Sequence, residues 1–194
     1  MSDDQPPVSI ESSPDETSAG RMGGFNPISW IRDLALSVLI AVVLIVFIYQ
    51  PVKVEGTSMM PSLRDQERIF INKFNYRFGI GGIERGDTVV FWFPGDVSKS
   101  YVKRVIGVPG DVVEINRGSV IVNGKPLAED YVLEEYRDYQ SRPPLRIGPD
   151  QYFVLGDHRN SSNDSRAWGT VPRQNIYGKA VFVYWPLDKM GRVR

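Results

Sequence analysis

The longest uncharged run in the chain, Leu34 to Tyr49, reads LALSVLIAVVLIVFIY and is apolar on every face. A helix that packs on a protein core keeps a polar stripe, so this pattern predicts a helix set in a bilayer. At 1.5 Å per residue the run covers about 24 Å of a hydrocarbon layer roughly 30 Å thick, and the helix is expected to extend back through Ile31 and Trp30. Asn26 and Pro27 supply an N-cap and a first helical residue, and the helix is expected to end near Gln50-Pro51. Arg32 is placed to snorkel toward head groups, with Trp30 and Tyr49 at aromatic-belt positions. A cleavable signal peptide would have a shorter apolar stretch and a small-x-small site after it. Residues 25–51 are therefore read as a retained transmembrane anchor. Its flanks balance, with Arg21 and Arg32 against Lys53 and Arg64, so the positive-inside rule does not orient it.

Residues 1–24 are rich in Ser, Pro, Asp, Glu and Gly and nearly lack large apolar side chains, which predicts a disordered tail. From Val52 onward the texture changes to short β-branched and aromatic runs separated by Gly, Pro, Asn and Asp. Expected strands are RIFINKF (68–74), TVVFWF (88–93), YVKRVIGV (101–108), VVEI and SVIV around Asn116-Arg117-Gly118, QYFVL (151–155) and KAVFVYW (179–185). Residues 134–149 are polar and broken by prolines, and read as a long loop or flap. The fold class is thus mostly β, a compact β domain over residues 52–194 preceded by one transmembrane helix.

Composition narrows the chemistry. A length of 194 residues suits one domain plus an anchor and tail. Lys plus Arg equals Asp plus Glu at 23 each, so there is no basic field to gather nucleic acid, and none is expected as a partner. With no cysteine and one histidine, a disulfide framework, an iron–sulfur cluster and a zinc site of the usual spacing are excluded. No metal or cofactor is expected, and activity should resist chelators. Chemistry must run on hydroxyls, amines or carboxylates.

Ser58 lies in Gly56-Thr57-Ser58-Met59-Met60-Pro61, where glycine permits close approach of a ligand and proline fixes the turn. It is also within about 20 Å of the bilayer exit, given the reach of an extended chain. A nucleophilic serine needs a base, and both Lys103 and His158 are candidates. Lys103 shares a strand face with Tyr101 and Val105, neighbours that would strip water from its amine and depress its pKa. His158 sits in the polar loop GDHRNSSNDSRAWG, whose ordinary reading is a hydrogen-bonded turn. Arg85-Gly86-Asp87 is ordinary turn chemistry before a strand. Taken singly, each of these residues reads as a turn or an exposed strand position.

The segments YQPVKVEGTSMMPSL, RGDTVVF, YVKRVIGVPGDVVEI and GDHRNSSNDSRAWGTVP, in this order after an anchor, resemble the sequence boxes of bacterial-type signal peptidase I from about Tyr49 to Trp185. The resemblance implies a fold of coiled antiparallel sheets and a Ser-Lys dyad, with Ser58 as nucleophile, Lys103 as general base and Ser162 orienting the lysine. It further implies that Val52, Val54, Met59, Leu63, Tyr101 and Val102 line shallow pockets for small side chains, with Asp164 and Arg166 in a structural polar cluster. The implied reaction is removal of signal peptides from preproteins after A-x-A-like sites. The implied setting is a single-pass protein of the plasma membrane, or of a thylakoid membrane, with a cytoplasmic N-terminus and the catalytic domain on the outer face. An apolar surface dipping into the bilayer is implied too, with Phe91-Trp92-Phe93 or Trp185 as contributors. Gly56 departs from members that carry a serine there as an oxyanion donor, which leaves the second donor unassigned. His158 and Asn160 also depart from that box's usual residues. Two rivals stand beside this reading: a self-cleaving Ser-Lys regulator, and a tethered β domain that binds exported chains without cutting them. Oligomeric state is not legible in the sequence.

Overall fold

The computed structural model describes residues 27–74 and 81–193, the side chains of 44–48 excepted. The expected tail at 1–24 and the proposed cap Asn26 lie outside the described residues. Helix α1 spans Pro27–Ile48 among the described residues. It stops two residues before Gln50, because Tyr49 already pairs with Asn72 in a sheet. Apolar side chains along α1 are exposed, from 77% at Ile28 to 44% at Val43. Among the described residues, no helix is long and apolar enough to cross a membrane.

The remaining elements are β1 (Tyr49–Lys53), β2 (Arg68–Asn72), β3 (Thr88–Phe93), β4 (Asp96–Gly107), β5 (Val112–Asn116), β6 (Ser119–Val122), β7 (Lys125–Pro126), β8 (Arg142–Arg146), β9 (Gln151–Leu155), β10 (Val171–Pro172), β11 (Ile176–Trp185) and β12 (Gly191–Arg192), with a short helix α2 (Ser165–Trp168). Every expected strand is present. The larger sheet runs β1-β2-β11-β3-β4-β9-β10, with β12 on β11; the smaller runs β7-β6-β5-β8. All pairings are antiparallel.

Period-two alternation explains how the strands bury. In β2, Ile69 and Ile71 are fully buried between more open neighbours. Together with Val54, Met59, Leu63, Val90, Ala180 and Val183 they form one core. The central β3 is buried from Thr88 through Phe91, and its other face, Val89 and Phe91, joins Val105, Val154 and Ile176 in a second core. A third core, with Ile106, Val113, Ile115, Ile147 and Leu155, joins the two sheets. Each fully buried aliphatic side chain contributes about 1.5–3 kcal/mol over exposure.

The 134–149 segment departs from the loop reading. It contains a 3-10 turn at Glu134–Tyr136 and then β8, reading RPPLR, paired with β5. β8 is the outer strand of its sheet and exposed throughout. A proline that lacks an N–H is tolerated on such an edge, which is why Pro143 and Pro144 do not exclude a strand.

Candidate active site

Ser58 stands on the turn between β1 and β2. Gly56, at φ +94°, bends the chain there, and its N–H donates to Asp65 Oδ1 at 2.8 Å. Met59 and Leu63 follow as buried anchors of the first core, 1% and 0% exposed. They hold the turn from beneath and are not among the side chains that line the groove beside Ser58.

Lys103 lies on β4, 45 residues away in sequence, and its Nζ is 2.7 Å from Ser58 Oγ. The amine also donates to the Val102 carbonyl at 3.1 Å and lies 5.5 Å from the centre of the Tyr101 ring. Only 4% of Lys103 is exposed. Burial pulls its pKa down from 10.5 to about 8; the nearby carboxylates of Asp164 and Asp157 oppose the shift, and Arg166 adds to it. Desolvation wins because both carboxylates are already committed to arginines.

Arg104, the next residue, is buried and fully engaged. Its guanidinium donates to both Asp157 oxygens at 2.8 and 2.6 Å, to the Gly86 carbonyl at 2.9 Å and to Ser62 Oγ at 3.2 Å. It also lies 4.2 Å from the Tyr131 ring centre. One side chain thus joins β4, the turn after Ser58 and the 156–159 loop. From that loop the His158 N–H donates to the Ser58 carbonyl at 3.1 Å. The His158 ring faces Thr57 O at 3.1 Å and is tilted against Tyr136 with centroids 4.1 Å apart, contacts in agreement with the turn reading.

Gly156 is where the loop passes closest to the nucleophile. A Cβ there would lie 2.4 Å from the Ser58 carbonyl oxygen and 2.2 Å from Ser162 Oγ. Ser162 therefore reaches the site by packing on Gly156. Its hydroxyl is buried and has no hydrogen-bond partner among the described residues. Asp164 is fully buried; it accepts from Gly156 N–H at 3.0 Å, caps α2 through Arg166 N–H, and forms an ion pair with Arg166 at 2.7 Å. Arg166 also contacts Asp138 and donates to Arg159 O at 2.8 Å. Arg159 in turn pairs with Glu129 in the buried interior.

A groove of about 310 Å³ opens beside Ser58 and Lys103 and is lined by Val52, Val54, Tyr101 and Val102. Val90 on its floor and Asn163 on its rim also line it, and nothing in their local sequence marked them. Gly156, Arg104 and Asp157 likewise escaped the sequence reading. An arginine inside an apolar alternating strand was the available signal, since a buried guanidinium requires a carboxylate. In the Arg85-Gly86-Asp87 turn, Arg85 pairs with Asp111 at 3.0 Å and Asp87 with Lys179, both structural.

The family profile described as signal peptidase, peptidase S26, matches residues 27–185. The chain belongs to the signal peptidase S26 family. It is 35% identical to a signal peptidase I of Leptolyngbya laminosa, across 100% of this chain and 97% of that protein. Identity is 36% to signal peptidase I P of Bacillus subtilis subsp. natto, across 85% of this chain and 92% of that protein. A crystal structure of a signal peptidase I from Enterococcus faecalis, 31% identical, aligns over 52% of this chain and 97% of its own with a TM-score of 0.46. The resemblance carried by the four sequence boxes thus corresponds to S26 membership, and the matched span contains every residue of the groove described above.

Proposed function

We propose that this chain removes N-terminal signal peptides from exported preproteins as a Ser-Lys serine endopeptidase. The observation that carries this reading is the 2.7 Å approach of Lys103 Nζ to Ser58 Oγ beside a valine-walled groove. In the proposed cycle Ser58 Oγ attacks the carbonyl carbon of the scissile bond while Lys103, as the neutral amine, takes the hydroxyl proton. Lys103 hands that proton to the leaving amine. A water then gives a proton to Lys103 and attacks the acyl-enzyme, and Lys103 returns that proton to Ser58 Oγ as the acyl group leaves. At pH 7 an amine of pKa about 8 is neutral roughly 10% of the time, about 300-fold more than one at 10.5. That gain matches the usual worth of a general base, about 10² to 10⁴.

Backbone edges support an extended substrate. β1 is the outer strand of the large sheet, and β4 pairs with β9 only from Arg104 onward, so Ser100 to Val102 is bonded to β3 alone. A substrate strand laid between these edges would present alternate side chains to Val52, Val54 and Val102, which leave room for small residues such as Ala. Asp164 and Arg166 serve as the buried frame of the Ser162 loop, and Ser162 orients Lys103 once substrate fills the groove.

The exposed apolar side chains of α1, continued in sequence by uncharged residues to Tyr49, support its assignment as a bilayer anchor. Processing after export then orients the chain, with a cytoplasmic N-terminus and residues 52–194 as the catalytic domain on the outer face. Trp92 and Trp185, 44% and 49% exposed, suit contact with that membrane surface.

The test is cleavage of a preprotein after an A-x-A site by the detergent-solubilised chain. Ser58→Ala and Lys103→Ala should each abolish cleavage with folding intact. Normal turnover by either variant would refute the dyad.

A further inference from the structure

A second and larger chamber, about 630 Å³, adjoins the groove and shares Ser100 with it. The step between the two is regular. On β1 the lining residue changes from Val52 to Gln50, on β3 from Val90 to Trp92, and on β4 from Val102 to Ser100. Val90 is registered with Val102 and Trp92 with Ser100. Each change is two residues, so both chambers lie on one face of one sheet, about 7 Å apart along the strands.

The two chambers differ in character. The first sets Val52, Val54, Val90 and Val102 beside Lys53, Glu55 and Lys103, whereas the second has Lys73 and Arg173 with Gln50, Trp92 and Tyr177, and none of its lining residues is acidic. Lys73 Nζ lies 5.5 Å from the Tyr177 ring centre, and that ring is tilted against Trp92 with centroids 4.7 Å apart. Arg173 is held by donation to the Ile176 carbonyl at 3.3 Å. Lys73 over this aromatic floor, with the Arg173 charge lining the same chamber, forms a site for a carboxylate or another acceptor group.

We infer that this chamber is an extended substrate subsite, taking the side chain of the fifth residue before the cut and favouring Glu or Asp there. The inference rests on the signal-peptidase reading above, which seats small residues one and three places before the cut against the valines. Because a strand repeats its facing every two residues, the fifth residue points the same way as the third and arrives opposite Gln50. Specificity would then extend past the small-residue rule to charge two positions upstream of it.

The experiment uses peptides with a common A-x-A site and Glu, Ala or Lys at the fifth position before the cut, plus a reference peptide that begins four residues before the cut. Wild type should cleave the Glu peptide with a kcat/KM about 5-fold above the Lys peptide, the upper range for a solvated charge pair. Lys73→Glu should invert that order, and Gln50→Glu should shift it the same way, while the reference peptide is cut equally by all three proteins. An unchanged ranking in both variants, with the reference still cut, would overturn the subsite and leave the proposed function standing. Failure of every protein to cut the reference would overturn both. Reduced binding of Lys73→Glu to vesicles containing phosphatidylglycerol, with peptide ranking unaltered, would assign the chamber to a lipid head group and also overturn the subsite.

Discussion

Gly156 lies directly against Ser58, so close that a single added methyl would stand 2.4 Å from the Ser58 carbonyl oxygen and 2.2 Å from Ser162 Oγ. The obstruction is backbone on one side, so a rotamer change cannot relieve it. Gly156→Ala should therefore displace the nucleophile turn, with activity falling at least about 100-fold, the scale of a misplacement near 1 Å. Peptide cleavage together with circular dichroism checks this; a folded Gly156→Ala protein with wild-type kcat would contradict it.

Activity should follow the neutral fraction of Lys103. With its pKa lowered to about 8 by burial, kcat/KM is expected to rise about tenfold per pH unit below 8 and to level off above it. Lys103→Arg keeps a cation that does not lose its proton and should be inactive at every pH. A profile that is flat from pH 6 to 9 would remove Lys103 from the role of base.

The same lysine should cost stability. Its folded pKa is about 8 and its unfolded pKa 10.5, so between those values the unfolded chain binds the extra proton and stability rises with pH. Below pH 8 the whole cost, roughly 3 kcal/mol, is present; above about 10.5 it is gone. Lys103→Met should thus be more stable than wild type near pH 7, with the gap closing as pH rises from 8 toward 10. Denaturant unfolding at several pH values measures it.

Asp157 holds Arg104 in a buried ion pair in which the carboxylate is 0% exposed. Asp157→Ala would leave that guanidinium buried with only neutral partners, a loss of about 3–5 kcal/mol. Because Arg104 also bonds Ser62 and Gly86, cleavage should decline along with stability. A change in midpoint corresponding to less than about 1 kcal/mol would show that the pair is not structural.

Ser162 should behave in the opposite way. Its buried hydroxyl bonds to no described residue, so Ser162→Ala removes an unsatisfied polar group and should keep or raise stability by about 1 kcal/mol. If Ser162 orients Lys103 during turnover, kcat should nevertheless fall and the pH profile should move to a different midpoint. Lower stability with an unaltered pH profile would make it a packing residue only.

Sequence alone determined the local elements of this protein. Alternation in Ile69 and Ile71 marked β2, Asn116-Arg117-Gly118 marked a hairpin, and the charge-free run from Leu34 marked α1, because each depends on neighbours within a few residues. The order of four short boxes was also enough to find the family, and it named Ser58 and Lys103 as the candidate pair. β8 was hidden because its prolines are acceptable only on a sheet edge, and edge status is a property of the assembled sheet. Tertiary structure alone decided the geometry of the candidate site: the 2.7 Å meeting of residues 45 positions apart, the depth of burial of Lys103, and the closeness of Gly156 to Ser58. Strand neighbours such as Tyr101 and Val105 hint at desolvation, but its extent and the contact distances are set by strands from distant parts of the chain, which no local window of sequence contains.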